Sequence, residues 1–357
     1  MRRAIIALLL MVSAITTTAQ DMIIDHDCTD ITVIPQAAIE EARATLHIGY
    51  GHTSHGGQLT GGMSGLVEFA NGGGLGLSLP ADIFSWNNGG VAGALDLEEG
   101  DGYGTGWLDH DCGYYPAWVN ETEEYLDDPS HADVNVIIWS WCGQVSSHTE
   151  QSLIDTYLAP MTQLELDYPE VIFVYMTGHA NGSGVTGNLH LRNQQIRDYC
   201  IANDKILYDF YDIECYNPGN EYFGDRFVSD DCSYTGGNWA TEWQASHIEG
   251  MDWYSCNAPH TQPLNANRKA YAAWWMLCRI AGWGDHGADI EALISVLDGD
   301  ILLSWTPYDG ANGYKIYSST SPYGGFEEDT SGVFEGMTWR APQTDLNRHY
   351  RVTALLD

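Results

Sequence analysis

A serine bracketed by histidines and glycines, Gly51-His52-Thr53-Ser54-His55-Gly56-Gly57, follows directly on the apolar run Leu46–Tyr50 and shortly precedes a helical pattern. A hydroxyl at a strand-to-helix turn can attack an acyl carbon. Glycines let the substrate approach the backbone, and a helix N-terminus favours the oxyanion that forms. Farther on, Trp139-Ser140-Trp141-Cys142-Gly143-Gln144 closes a second apolar run, where the Gln144 amide could donate to that oxyanion. His260, in Asn257-Ala258-Pro259-His260 ahead of the last long helical pattern, can take the serine proton and return it to the leaving group. Each residue also has a plainer explanation: Ser54 and Gln144 as caps, and His260 as a side chain bonded to backbone at a helix start. What favours chemistry is that all three follow elements that one sheet would bring to one edge. Cys142 could serve as a nucleophile in its own right. In a chain with eight cysteines, an even number, and none in C-x-x-C spacing, disulfides are nevertheless the expected state, with Cys215 and Cys232 as a local pair.

The elements that must position these residues are legible as alternation. Apolar runs at Leu46–Tyr50, Asp82–Trp86, Val134–Trp139, Val171–Met176 and Ile206–Phe210 read as strands. A helical pattern follows each: Met63, Leu66, Val67 and Ala70 after the first, and Trp118, Thr122, Tyr125 and Leu126 behind Pro116 after the second. Ile154, Leu158 and Met161 follow the third, with Pro160 marking a kink. Leu189, Ile196, Tyr199 and Cys200 follow the fourth, with Asn188 as N-cap. Ala270, Trp274, Leu277 and Ala281 come last and stop at Gly282. A further helix spans Pro35 to Leu46. The class predicted is α/β, a doubly wound five-stranded parallel sheet in the flavodoxin-like order 2-1-3-4-5. In such sheets ligands bind beyond the carboxyl ends of the strands, here between the first and third. That edge gathers His52, His55, Trp141 and His179 as substrate contacts. It also offers the backbone N–H of Ser54 or His55, with a glycine near Gly89, as oxyanion donors. From Ala288 the pattern changes to short alternating runs, Leu293–Leu297, Ile301–Trp305, Tyr314–Ser318 and His349–Ala354, which predict a small C-terminal β-sandwich with Trp305, Tyr314, Tyr317 and Tyr350 in its core.

Composition bounds the function. Arg2-Arg3 before the apolar run Ala4–Ile15 and the small residues Thr17-Thr18-Ala19 predict a secretion signal over residues 1–20, too short to span a bilayer. The α/β domain would cover 21–284 and the sandwich 285–357, joined near Asp285–Ala288. The expected location is extracellular or periplasmic, with no membrane span. A formal charge of -35, from 49 acidic against 14 basic residues, argues against nucleic acid as a partner and for a solvated acidic coat. Asp109-His110-Asp111 and Asp230-Asp231 are calcium candidates without EF-hand spacing. No cofactor and no catalytic metal are expected.

The serine after the first strand, the amide-bearing block after the third and the histidine before the last helix occur in an order that resembles the SGNH/GDSL hydrolases, over roughly residues 44–282. The stretch from Asn188-Leu189 to Asp209-Phe210 looks like that family's helix and fifth strand. The likeness implies Ser54 as nucleophile, His260 as base and Gln144 as oxyanion donor. This chain departs from the pattern in three places: His52-x-Ser54-x-Gly56 replaces Gly-Asp-Ser, Gln144 stands near an expected asparagine, and Asn257 stands where an aspartate precedes the histidine. The C-terminal part resembles a fibronectin type III module. The expectation is a secreted serine hydrolase acting on a small ester or an acylated polysaccharide; thirteen Trp and 21 Tyr suggest the sugar. Two alternatives compete: a metal-dependent hydrolase built on His52, His55 and His179, and a non-catalytic glycan-binding or adhesion protein.

Overall fold

The computed structural model describes residues 22–100, 107–283, 292–297, 299–308, 311–319, 327–342 and 348–355. The expected secretion signal and the junction at 285–288 lie outside the described residues. The fold is α/β. Its central sheet has seven strands: β1 (Ile23–Ile24), β2 (His47–Gly51), β3 (Trp86–Asn87), β4 (Leu95–Glu99), β5 (Val136–Trp139), β6 (Ile172–Met176) and β7 (Ile206–Tyr208). They lie in the order β1-β7-β6-β5-β2-β4-β3, and every pairing is parallel.

Alternation along single strands divides the core. In β5, Val136 and Ile138 join the cluster on one face, while Ile137 and Trp139 join the cluster on the other. This is the period-2 consequence of pleating, and it leaves all four residues buried. The first face is covered by α1 (Gln36–Thr45) and α2 (Gly57–Asn71). The second is covered by α3 (Ala117–Asp127), by α4 (Glu150–Leu153) running through a π turn at Ile154–Leu158 into α5 (Ala159–Asp167), and by α6 (Asn188–Ala202). The kink expected at Pro160 is this π turn, one residue before α5 begins. Then come α7 (Phe210–Cys215), the hairpin β8 (Ser233–Tyr234) and β9 (Gly237–Asn238), α8 (Trp239–Ser246) and the long α9 (Pro263–Ile280), which packs on the first face against α2 and α1.

The sheet departs from the five-stranded expectation at its edges and at its second strand. Ile83 and Phe84 do not form a strand. They sit in turns as plugs, 2% and 0% exposed, with Phe84 edge-on to Trp274 of α9. The strand next to β2 is Leu95–Glu99 instead. Its buried Leu95 and Leu97 alternate with Asp96, which meets His47 Nδ1 at 2.8 Å, and Glu98, which accepts from the Tyr125 hydroxyl at 2.9 Å. A strand whose alternate positions are acids looks polar in sequence.

Toward the C-terminus, β10 (Ala292–Leu297), β11 (Asp300–Trp305), β12 (Gly313–Ser319), β13 (Glu327–Glu328), β14 (Val333–Phe334), β15 (Thr338–Pro342) and β16 (His349–Leu355) form two antiparallel sheets, β10-β11-β15-β14 and β13-β12-β16. Both contribute to one apolar cluster that includes Ile301, Leu303, Trp305, Ile316, Trp339 and Val352. Tyr314 and Tyr350 pack at its margin, and the fully buried aromatic is Trp339, which the sequence reading did not single out. The disulfide expectation is corrected: all eight cysteines are free. No helix among the described residues is long and apolar enough to cross a membrane.

Candidate active site

The strand β2 ends at Gly51, and the chain turns over Thr53–Gly56 before α2. The turn is closed by Gly56 N–H on the Thr53 carbonyl at 3.0 Å and clamped from below by the Tyr50 hydroxyl on the Gly56 carbonyl, also 3.0 Å. It sends two histidines, three residues apart, into different surroundings.

On one side, His55 joins a thiol to a carboxylate. Its Nδ1 lies 3.1 Å from Cys142 Sγ, just past the end of β5, and its Nε2 lies 3.0 Å from Asp230 Oδ2, 175 residues along the chain. The ring is stacked between His179 (centroids 3.8 Å, planes 3° apart) and His260 (4.5 Å, 16°). Burial alone would lower the His55 pKa, but the bonds to Asp230 and Cys142 carry it up to about 9. The His55 ring, foremost, holds the Cys142 thiol below its ordinary range, against partial burial. Asp230 stays below the usual carboxylate range, since His55 and His179 outweigh its desolvation. The groups thus favour a thiolate–imidazolium pair oriented by a carboxylate.

Neighbouring loops hold this arrangement in place. Asp231 accepts from the Ser233 N–H at 2.9 Å and the Ser229 hydroxyl at 2.6 Å, stiffening the loop that presents Asp230. Behind Cys142, Thr53 donates to Asp111 at 2.5 Å and Gly113 N–H to the same carboxylate at 2.8 Å. Asp111, Asp230 and Asp231, from the two calcium candidates, are thus hydrogen-bonded to protein groups. His179 gives its Nδ1 hydrogen to the Ala180 carbonyl at 2.7 Å, and burial lowers its pKa, so its Nε2 carries a lone pair. Deeper, Glu214 takes the Ala180 N–H at 2.5 Å and pairs with Lys269 at 2.6 Å, both fully buried. Lys269 also donates to Gln58, whose amide reaches the Pro259 carbonyl at 2.7 Å. This buried chain ties the backbone beside His179 to the backbone beside His260. Breaking one partner would leave an unpaired charge at a cost of about 3–5 kcal/mol.

On the other side, His52 lines a 590 Å3 cavity together with Ser54, Trp86, Glu99 and Asn257. His52 Nδ1 is 3.0 Å from the Thr53 carbonyl, while its Nε2 is buried without a hydrogen-bond partner. Glu99 Oε2, at 3.5 Å, is too far for a well-formed bond. Burial pushes the Glu99 pKa up, but His52 and the Thr60 hydroxyl hold it below the ordinary range.

The sequence-predicted residues divide accordingly. Ser54 is at the cavity, and no side-chain hydrogen bond joins it to His260, which is exposed, has φ 64° and stacks on His55 instead. Asn257 borders the cavity, away from the relay. Gln144 is corrected from oxyanion donor to brace: its Oε1 accepts the Cys142 N–H at 3.1 Å and its amide meets Asp111. Gly89 gives its N–H to Asp96 at 2.6 Å in an exposed turn, so it donates to no oxyanion. Trp141 is 2% exposed, with its indole N–H on the Met176 carbonyl, and is core rather than a substrate platform. His55 and His179 do come together, whereas His52 faces the other way. Their ligand atoms and that of Asp230 lie within 4.8 Å of one another, near enough to hold a metal ion. Asp230 was not singled out as catalytic. Its only signal was the Asp230-Asp231 pair, and Glu99 had none.

No family model matches this chain, and no curated protein does. Among solved structures, a carbohydrate acetylesterase from Xanthomonas citri is similar over 60% of this chain and 43% of its own length, at 10% identity and a TM-score of 0.22. The chain thus spans less than half of that enzyme, and a superposition this loose supports no argument about fold or activity.

Proposed function

We propose that this protein is a hydrolase that cleaves esters by acyl transfer to Cys142. The observation that carries the proposal is the relay Cys142–His55–Asp230, with contacts of 3.1 and 3.0 Å at the carboxyl edge of a parallel sheet. The thiolate attacks the ester carbonyl carbon, forming a C–S bond. As the tetrahedral intermediate collapses, the C–O bond to the alcohol breaks, and the His55 imidazolium gives its proton to the departing alkoxide. Water then attacks the thioester while His55 takes its proton. The carboxylic acid leaves and the thiolate–imidazolium pair is restored. Asp230 fixes the His55 ring and stabilises its cationic form, as the third member of such a triad does. Secretion, expected from residues 1–20, belongs to the same proposal.

The test is turnover of short-chain aryl esters by the wild type and by Cys142→Ala and Ser54→Ala. Loss of turnover in Cys142→Ala is expected, together with an acyl adduct trapped on Cys142 of the wild type by mass spectrometry. Full activity in Cys142→Ala and loss in Ser54→Ala would return the nucleophile to the serine with His260 as base. One observation favours a second interpretation: the clustered ligand atoms of His55, His179 and Asp230 fit a divalent-metal hydrolase. In that case a chelator abolishes turnover, zinc restores it, and Cys142→Ala remains active.

A further inference from the structure

We infer that the cavity on the His52 side binds a neutral sugar ring, so that the ester cleaved at Cys142 is carried by a glycan. The inference rests on the acyl-transfer proposal for the ester, but the cavity itself can be examined without it. One wall is a face of α2, where Gly57, Thr60, Gly61, Ser64 and Gly65 recur at helical spacing and Ser64 is exposed. Trp86, half-buried at the sheet edge, adds an indole to the lining. A flat aromatic suits the apolar face of a pyranose, and hydroxyl-bearing walls suit its rim.

The polar groups select the ligand further. His52 Nε2 is nine-tenths buried and unpartnered, and Glu99 stands 3.5 Å from it. With the hydroxyls of Ser54 and Ser64, they form a polar cluster suited to ligand hydroxyls, the Thr60 hydroxyl being already committed to Glu99. Among the described residues, the lining contains no leucine, isoleucine, valine, methionine or phenylalanine. Among the described residues it contains no lysine or arginine to pair with a phosphate or sulfate. The volume, 590 Å3, is in the range of small-molecule sites and exceeds one hexose. Thr53 links the two sites, since it lines the cavity and also lies against the Cys142 thiol.

The experiment titrates the full protein with unacylated xylo-, manno- and chito-oligosaccharides, followed by tryptophan fluorescence and calorimetry. Because these sugars carry no ester, binding reads the cavity and not the relay. Saturable binding by at least one series is expected, weakened roughly tenfold or more in Trp86→Ala. Ser64→Trp, a substitution at an exposed helix position, fills the cavity without removing core and should abolish binding, which keeps the test open if Trp86→Ala misfolds. Absence of binding by every series, or binding unaltered in Ser64→Trp, overturns the inference, whatever the aryl-ester assay shows. Saccharide binding in a protein that hydrolyses no ester leaves the subsite standing and overturns the acyl-transfer proposal instead.

Discussion

His52 and His55 flank one turn, and each faces a carboxylate, yet they do different work. His55 is gripped at both nitrogens, by a sulfur at 3.1 Å and a carboxylate at 3.0 Å, and is sandwiched between two further imidazoles. His52 is held at one nitrogen only, and its other is buried without a hydrogen-bond partner, the nearest carboxylate oxygen at 3.5 Å. A ring satisfied on both sides by protein groups is preorganised to pass a proton between them. A ring satisfied on one side is left to meet a ligand. The difference shows that residue type and spacing locate a site, while the partner on the far nitrogen assigns its role.

The comparison breaks most sharply at His55. Replacing it with Asn should reduce aryl-ester turnover about 10²- to 10⁴-fold, the range for loss of a general acid–base group. Steady-state kinetics would show it mainly in kcat, and a loss below about tenfold would remove His55 from the relay. The same substitution at His52 should act first on saccharide affinity.

Asp230→Asn should follow with a smaller loss than His55→Asn, because the carboxylate orients and stabilises the ring without exchanging a proton with substrate. Combining the two variants should add little, since the groups act as a unit. Full additivity in the double variant would mean that Asp230 works elsewhere.

A pH profile sharpens the contrast without any substrate. The Cys142 pKa is lowered, so its reactive thiolate is present above that lowered value and is lost as pH falls through it. Alkylation by iodoacetamide, followed at Cys142 by peptide mass spectrometry, should therefore reach half its plateau below the roughly 8.5 of a free thiol. In His55→Asn the midpoint should move upward. A wild-type midpoint at or above the free-thiol value would contradict the ion pair.

The smallest effect concerns the cavity wall. A Cβ at Gly61 would stand 2.0 Å from the Asn257 carbonyl oxygen, so Gly61→Ala must displace backbone. Urea denaturation should show a loss of about 1–3 kcal/mol, as for other overpacked sites, despite the better helix propensity of alanine. A gain in stability would mean that the loop at 254–259 yields freely.

Much of this frame was legible in the sequence. The runs that became β2, β5, β6 and β7 are continuous and apolar because both faces of those strands are covered, and the helices between them kept their period. The second strand was misplaced because Ile83 and Phe84 are buried without being a strand, while Leu95–Glu99 hides its alternation behind acids that have partners. The edge was found, but not the pairing at it. Asp230 reaches His55 from a polar loop that no periodicity marks, and the direction in which His52 and His55 diverge depends on a turn geometry set by Tyr50 from below. Cys142 was visible as a nucleophile, but an even cysteine count suggested bridges that the structure does not form.

The glycines of α2 carry a consequence for how the protein comes to be active. Gly57, Gly61, Gly62 and Gly65 fall within one helix of fifteen residues, and each weakens it by about 1 kcal/mol relative to alanine. What they permit is close approach by distant chain: the Asn257 carbonyl at Gly61, the Ala266 carbonyl at Gly62 and the Tyr254 ring at Gly65. A helix that is poor alone and good only under residues about 190 positions later should form late, when that last segment docks. During synthesis α2 would then stay weakly formed until the segment around residues 254–266 has emerged. His260, which stacks on His55, arrives with that same segment, so the surroundings of the His55 ring are complete only then.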